Sequence, residues 1–219
     1  MKHYPSQFLP LLEAVGCKSD LGKTTKMPCV SYSLPASACQ VGQQLAKLPG
    51  STCAGCYADG RGNYSYQNVQ NALHRRLASI THPWWVENMT ALIRAKGDRY
   101  FRWHDSGDLQ SVDHLWKINQ IALRLPDVKF WLPTRETGIV TKFLRLYGNI
   151  HAPNLVIRIS AAMVNGPAPK MGLPVSYVHT GVAARTKGAK VCPAPKQEGK
   201  CGQCRNCWDP TINVSYHKH

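Results

Sequence analysis

The chain has 219 residues, enough to bury the core of one elaborated domain, and we expect a single domain over residues 1–219. Lys and Arg outnumber Asp and Glu by 27 to 12, a formal charge of +15, which favours polyanionic partners, with nucleic acid first. No apolar run approaches the roughly 18 residues that cross a bilayer, and Pro10 and Glu13 interrupt the first apolar stretch, so neither a membrane span nor a secretory signal is expected. We therefore expect a reducing cytoplasm, where grouped cysteines more often bind metal than form disulfides.

The first part of the predicted core is helical. Apolar residues recur at helical spacing over 66–80, and a second helix is expected over 84–95, directly after Pro83. The aromatic run "RYFRWHDSGD" then predicts a strand that ends in turn residues. A helix over 112–125 follows, and Pro126 ends it.

The same alternation continues toward the C-terminus. The stretch "VKFWLPTRE" predicts another strand, residues 139–147 an amphipathic helix, "NLVIRISA" a further strand, and "VSYVHT" a short last strand. Strands that alternate with helices pair in parallel through right-handed crossovers. The predicted fold class is therefore α/β, with parallel strand–helix units forming a partial, TIM-barrel-like sheet over 66–184. A cysteine-containing loop at 29–65 precedes this core, and a cysteine-rich basic tail at 185–219 follows it.

Polar residues follow the predicted strands at the point where each one ends. They are His104, Asp105, Thr134, Arg135, Ser160, His179 and Thr180. Parallel α/β folds assemble their sites at this edge, although any one of these residues is explained equally by a strand cap or a turn. The candidate catalytic residues of a shared pocket are His104, Asp105, Asp108, Arg135 and His179. Arg135 could hold a phosphate or carboxylate through two hydrogen bonds, and His104 or His179 could move protons near neutral pH.

Four of the nine cysteines form a dense C-terminal group, Cys192-x8-Cys201-x2-Cys204-x2-Cys207. Three cysteines in tandem suit three corners of an iron–sulfur cubane, with Cys192 as the fourth ligand. Structural zinc more commonly uses separated pairs or includes His, but four sulfurs suit zinc as well. A [4Fe–4S] cluster is favoured here, and zinc is the alternative. The basic residues around this group are Arg185, Lys187, Lys190, Lys196, Lys200 and Arg205.

A looser N-terminal group has the pattern Cys29-x9-Cys39-x13-Cys53-x2-Cys56. We expect these four residues to form a second metal site, because "CAGCYADGRG" is a turn-rich loop ahead of a helix. The alternative makes Cys29 and Cys39 ordinary buried residues. Cys17 has no near neighbour in the sequence and is expected to be a free thiol.

Six motifs together resemble a known family. In chain order they are "CVSYSLPASAC", "GSTCAGCYA", "FRWHDSGDL", "FWLPTRE", "VIRISA" and "VCPAPKQEGKCGQCRNCW". They are similar to a family of bacteriophage proteins usually called gene product 88, over about residues 25–219, and the last motif is the most specific. The resemblance implies a phage-encoded protein of the infected host's cytoplasm, whose cysteines bind an iron–sulfur cluster.

A more distant likeness concerns radical S-adenosylmethionine enzymes, whose partial barrels carry a [4Fe–4S] cluster at the strand ends. Their three cysteines are spaced x3 and x2 and leave one iron open, whereas Cys39, Cys53 and Cys56 are spaced x13 and x2. Cys29 could fill the fourth position, so that no iron would stay open. The segment "DSGD" would loosely replace the glycine-rich strand that binds the cosubstrate's methionine amine. The candidate cofactor-binding residues are Ser106, Gly107, Arg158 and Ser160.

Three functions are compatible with these patterns. The first is an iron–sulfur protein with redox or radical chemistry on nucleic acid or a nucleotide. The second is a nucleic-acid-binding module that zinc stabilises. The third is a phage factor that binds a host protein and whose metal sites are purely structural.

Overall fold

The computed structural model describes residues 4–148, 151–181 and 188–218, which form six α-helices and eight strands. The helices are α1 (Leu9–Ala14), α2 (Gln40–Ala46), α3 (Gln67–Ser79), α4 (Trp85–Lys96), α5 (Val112–Arg124) and α6 (Thr137–Tyr147). The strands are β1 (Gly22–Lys23), β2 (Val30–Tyr32), β3 (Tyr100–Trp103), β4 (Lys129–Thr134), β5 (Leu155–Ser160), β6 (Val175–His179), β7 (Lys190–Val191) and β8 (Val214–His217). None of the described helices combines the length and the apolar composition needed to cross a membrane.

All eight strands belong to one mostly parallel sheet, in the order β1-β2-β3-β4-β5-β6-β8-β7. β1 is antiparallel to β2, and every other neighbouring pair is parallel. The α/β class is confirmed, but the barrel-like closure is not, because the sheet ends at β1 on one side and at β7 on the other. These edge strands have two residues each, so neither offers the backbone needed to pair with the opposite edge.

The sheet extends beyond the segment predicted to form it. β2 lies in the predicted cysteine loop, and β7 and β8 lie in the predicted tail. The stretch at β6 is therefore not the last strand, as the sequence had suggested, because β8 follows it and pairs with it from Ser176↔Val214 to His179↔His217. The predicted strands at β3, β4, β5 and β6 are confirmed, as are the helices α3 to α6, with shifts of one or two residues at their ends.

The two faces of the sheet have different covers. On β3, Phe101 and Trp103 are fully buried in the larger core, together with residues of α1, α4, α5 and α6. Tyr100, the first residue of the same strand, instead packs near Trp131 and Trp208 in a second cluster. Because side chains alternate along a strand, the helices cover one face and the C-terminal tail covers the other. We call the face covered by the tail the inner face.

A tight turn after β3 depends on glycine. Gly107 has a φ of +74°, and a Cβ there would lie 2.5 Å from Leu34 Cβ and 2.8 Å from the Leu34 carbonyl carbon. We expect Gly107→Ala to lower the free energy of unfolding by about 2–4 kcal/mol, through backbone strain and overpacking. Gly138→Ala in α6 is the matched control, because no described atom lies within 4 Å of its Cβ position. In denaturant unfolding, Gly138→Ala should be neutral or stabilising by up to about 1 kcal/mol. If Gly107→Ala were as stable as the wild type, this turn geometry would be contradicted.

Candidate metal centres

Three cysteines meet at the C-terminal edge of the parallel strands, and we call Cys39, Cys53 and Cys56 the upper cysteine group. Cys39 is the N-cap residue of α2, and the other two lie in the loop that leads to α3. A Cβ at Gly42 would lie 3.5 Å from Cys39 Sγ and 3.8 Å from Cys53 Sγ, so these sulfurs are at most 7.3 Å apart, the sum of the two distances. Burial raises the pKa of Cys39 to about 12, with further contributions from Asp108 and the other two thiols. Gly42 therefore leaves open the space between Cys39 and Cys53.

Hydrogen bonds hold the cysteine loop over the end of β5. Thr52 N donates to Ala162 O at 2.8 Å, and Thr52 Oγ1 donates to Ala161 O at 3.0 Å. Val164 N donates to Gly50 O at 3.0 Å. These hydrogen bonds thus set the position of Cys53, which directly follows Thr52.

Glu136 is a buried carboxylate that fixes the start of α2. Its Oε1 accepts hydrogen bonds from the backbone N–H groups of Gln40 at 3.0 Å and Val41 at 2.8 Å. These donors have no partner within the helix, and a carboxylate there also complements the helix dipole. Because Glu136 caps the helix, the Cys39 side chain makes no capping bond. The sequence reasoning missed Glu136, although it directly follows the predicted strand-end residue Arg135.

Asp108 and Arg135, both predicted from the sequence, lie beside the upper cysteine group. The Asp108 carboxylate accepts hydrogen bonds from Thr134 Oγ1 at 2.6 Å and Arg135 N at 2.9 Å. Burial raises the pKa of Asp108 to about 6, although these hydrogen bonds lower it. Arg135 Nε donates to Thr52 Oγ1 at 3.0 Å. Burial raises the pKa of Cys53, and the charge of Arg135 opposes this shift.

Asp105 and Ser106 connect the end of β3 to its neighbours. The Asp105 carboxylate accepts a hydrogen bond from Tyr64 OH at 2.7 Å, and its backbone carbonyl accepts one from Tyr57 OH. The two tyrosine rings meet edge to face at 5.8 Å. Ser106 Oγ donates to Leu34 O at 2.8 Å, beside the close approach of Gly107 to the same residue. Asp105 therefore faces the aromatic loop that follows the upper cysteine group.

His104 lies beneath this edge in the apolar core. Its ring nitrogens have no hydrogen-bond partner among the described residues, and its ring lies 5.5 Å from that of His114. Burial lowers the pKa of His104 well below its ordinary value, and it lowers the pKa of His114 to about 3. Both rings are therefore neutral at pH 7. A role of His104 in proton transfer stays a prediction.

His179 and Ser160 lie farther along the sheet. His179 Nδ1 and Ser215 Oγ share a hydrogen bond of 2.7 Å, and the His179 ring lies 5.5 Å from that of His217. Ser176 Oγ donates to Ser160 Oγ at 3.1 Å. β6 is three strand spacings from β3, about 14 Å along the sheet. The structure does not bring His179 to the residues that follow β3.

Five further cysteines gather near the inner face. We call Cys29, Cys192, Cys201, Cys204 and Cys207 the lower cysteine group. Burial raises the pKa of Cys201, and the charges of Cys192 and Cys204 add to the shift. Burial also raises the pKa of Cys207 to about 11, and its Sγ lies 3.1 Å from the hydroxyl of the neighbouring Tyr216.

Cys29 belongs to this group and not to the upper one. It is buried with Trp131 and Trp208, and Cys207 packs against the same cluster. Burial raises the pKa of Cys29 to about 12, and Cys201 is among the charged groups that act on it. The segment just before Cys29 also binds the tail, since its carbonyl at residue 26 accepts a 2.9 Å hydrogen bond from Cys201 N. Of the four cysteines predicted to form an N-terminal metal site, Cys29 thus lies in the lower group and the other three form the upper group.

Two arginines project from the inner face toward the lower cysteine group. Arg158 is 0% exposed and donates to five backbone carbonyls, among them Cys207 O at 3.3 Å and Asp209 O at 2.9 Å. Arg102 is partly buried, with its guanidinium 4.5 Å from the centre of the Trp131 ring. In the part of the chain that the structure describes, neither arginine forms an ion pair with a carboxylate. These hydrogen bonds fix the tail, and cofactor binding by Arg158 stays a prediction.

All nine cysteines are free thiols. Within residues 4–148, 151–181 and 188–218, no three His, Cys, Asp or Glu side chains are grouped as a single metal ion requires. Sulfurs on one zinc ion lie about 4 Å apart, whereas the thiolates of a [4Fe–4S] cluster lie about 6 Å apart. The upper limit of 7.3 Å between the sulfurs of Cys39 and Cys53 is compatible with either spacing.

The basic residues predicted around the tail are partly described. Lys190, Lys196 and Lys200 are exposed, and the Arg205 guanidinium lies 5.3 Å from the centre of the Tyr100 ring. Two others, Arg185 and Lys187, lie outside the described residues.

Comparison with known proteins gives one match. The model of the family described as Gene product 88 matches residues 12–210 of the chain. No curated protein and no solved structure matches it.

The buried histidines should make the fold sensitive to acid. The pKa of His114 is lowered to about 3 in the folded chain, whereas in the unfolded chain this histidine is protonated below about pH 6.5. The free energy of unfolding therefore falls as the pH drops from about 6 to 4. His114→Phe keeps a ring against Trp85 and should reduce this loss by about 1.4 kcal/mol per pH unit. The exposed His74→Gln is the control and should leave the pH dependence unchanged. Denaturant unfolding at several pH values measures the difference, and equal slopes for His114→Phe and the wild type would contradict a neutral His114.

Proposed function

The chain belongs to the gene product 88 family of bacteriophage proteins, and from its two cysteine groups we propose that it is an iron–sulfur protein of the infected host's cytoplasm. The observation that carries the proposal is the gathering of eight of nine cysteines, all free thiols, into two groups. Each group would hold one [4Fe–4S] cluster. The charge balance of the lower group supports this reading.

The buried arginines support an anionic centre in the lower group. Neither the buried Arg158, whose donors are bonded to neutral carbonyls, nor the partly buried Arg102 has its charge balanced by an ion pair within the described chain. Four thiolates around an oxidised cubane carry a net charge of about −2, which two guanidinium groups would balance. The ligands of this centre would be Cys192, Cys201, Cys204 and Cys207, with Cys29 buried beside them.

The raised thiol pKa values disfavour these cysteines as free nucleophiles. With a pKa of about 12, Cys39 and Cys29 are protonated at neutral pH and react poorly as free thiols. Metal coordination removes the proton outright. The upper group is therefore poorly suited to attack a substrate through a free thiol.

The upper group is the proposed reactive centre because it contains three thiols. With Cys29 in the lower group, Cys39, Cys53 and Cys56 would leave one iron of a cubane without a protein ligand. Such a cluster, when bound, supplies an electron and an open coordination site for a cosubstrate such as S-adenosylmethionine. Asp108, with a pKa of about 6, could exchange a proton near neutral pH, and Arg135 could orient a substrate phosphate or carboxylate. The proposed reaction is redox or radical chemistry on a nucleotide or nucleic acid.

Metal analysis of anaerobically reconstituted protein tests the two centres. We expect a brown wild-type protein with broad visible absorption and about eight iron and eight sulfide ions per chain. The double variants Cys53→Ala/Cys56→Ala and Cys201→Ala/Cys204→Ala should each retain about four of each ion. Cys17→Ser is the control, because Cys17 lies apart from both groups beside Arg76, and it should keep the full content. A colourless protein with stoichiometric zinc would reject the proposal in favour of a zinc-stabilised binding protein.

The open coordination site makes a separate prediction. Addition of S-adenosylmethionine to the dithionite-reduced protein should change the electron paramagnetic resonance spectrum of the wild type and of Cys201→Ala/Cys204→Ala. The spectrum of Cys53→Ala/Cys56→Ala should not respond, because its remaining cluster is fully ligated. A response in that variant, or an unchanged spectrum in all three proteins, would show that the upper group does not bind this cosubstrate through iron.

A further inference from the structure

A polar cleft lies between the segment 16–20 and helix α3, away from both cysteine groups. Its volume of about 410 Å³ lies in the range of sites for small ligands. The side chains that matter for binding are Lys18, Ser19, Asn68, Asn71, Arg75 and Arg76. None of the eight cysteines of the two groups lines the cleft.

The cleft carries an excess of positive charge. Lys18, Arg75 and Arg76 line it, and the acid that lines it, Asp20, forms an ion pair of 2.7 Å with Lys96 Nζ. Arg75 forms no ion pair with any described carboxylate. The charge that remains available to a ligand is therefore cationic.

Hydrogen-bond donors converge from one face of α3. Asn68, Asn71 and Arg75 are separated by three and four residues, so they share a face of the helix. Asn71 Oδ1 accepts a 2.9 Å hydrogen bond from Gln67 Nε2, which leaves the Asn71 amide N–H donors available. This side of the cleft offers donors rather than acceptors.

The cleft is preformed by close packing of its two walls. Gly16 has a φ of +73°, and a Cβ there would lie 2.5 Å from the carbonyl carbon and oxygen of Arg75. Arg76 Nε donates to Cys17 Sγ at 3.4 Å, which ties the helix to the same segment. A ligand would therefore meet fixed walls and lose little affinity to ordering them.

We propose that this cleft binds a phosphoryl group, either of a free nucleotide or of a nucleic-acid backbone. Cationic side chains together with neutral N–H and O–H donors are the groups that bind phosphate oxygens in proteins. The inference rests on the proposed nucleotide or nucleic-acid chemistry and adds to it a phosphate site separate from the one proposed at Arg135. It does not depend on metal in either cysteine group.

Binding measurements on the full-length, anaerobically reconstituted protein test the cleft. The probes are inorganic phosphate and adenosine monophosphate in calorimetry, and a fluorescein-labelled single-stranded DNA in anisotropy. Arg75→Ala should weaken binding by about tenfold or more, and Asn71→Asp, which adds a carboxylate to the cleft, should also weaken it. Arg145→Ala is the matched control, since Arg145 is exposed on α6, and it should bind as the wild type does.

The pattern of binding identifies the source of the phosphate. If the protein binds phosphate and the nucleotide but not the DNA, the ligand is a free nucleotide. If it binds the DNA, and Arg75→Ala lowers the number of ions released on binding by about one, the ligand is the nucleic-acid backbone. No binding, or binding that Arg75→Ala and Asn71→Asp leave unchanged while thermal unfolding shows both folded, would overturn the proposal. Iron and sulfide content should be equal in all four proteins, so failure of the cleft and failure of the metal proposal are distinguished.

Discussion

The buried guanidinium of Arg158 holds the C-terminal tail against the sheet, and the arrangement of the lower half of the molecule depends on it. The side chain projects from the centre of β5 and donates to the carbonyls of Val175, Asn206, Cys207, Asp209 and Ile212. Five acceptors replace the hydration that burial removes, which is the condition under which a buried cation is tolerated. Because four of these carbonyls belong to residues 206–212, β5 sets the path of the tail and places Cys207 at the inner face. The tail continues into β8, which lies between β6 and β7 in the same sheet.

The occupied inner face also accounts for the open sheet and for the separation of the two cysteine groups. The large rings of Trp131, Trp208 and Tyr216 fill the inner face. The interior of a closed barrel would have room only for smaller side chains. Between the groups lies Arg102, whose guanidinium stacks on Trp131 and donates to the carbonyl of His104 at 3.5 Å. At about 3.3 Å per residue, the four residues of β3 place the ends of the face about 13 Å apart. This distance leaves room for the two proposed centres.

The sequence predicts this fold where burial leaves a periodic signal. The helices α3 to α6 and the strands β3 to β6 carry apolar patterns that packing against the larger core requires, and they occur as predicted. β2, β7 and β8 have only two to four residues and no sustained alternation, so their pairing is decided by tertiary contacts. The strand-end rule selects Arg135, which lies beside Asp108 in the structure, but it does not distinguish a residue at the edge from His104, which the turn places in the core. Glu136 escaped notice because its partners, the first N–H groups of α2, lie about 95 residues earlier in the chain.

The number of cysteines in each group differs between the sequence and the structure. This number decides whether a bound cluster would have an open iron. Grouping by sequence makes two sets of four, because Cys29 is nearer to Cys39 than to any residue of the tail. The structure makes a set of three and a set of five, because Cys29 precedes β2 and Cys39 follows it, at opposite ends of the same strand. A fully ligated centre suits electron transfer or structural support, whereas an open iron can bind a cosubstrate. Under the proposed function the reaction therefore belongs at the upper edge, where Asp108 and Arg135 lie, and the lower centre, enclosed by Trp131 and Trp208, serves electron transfer or support.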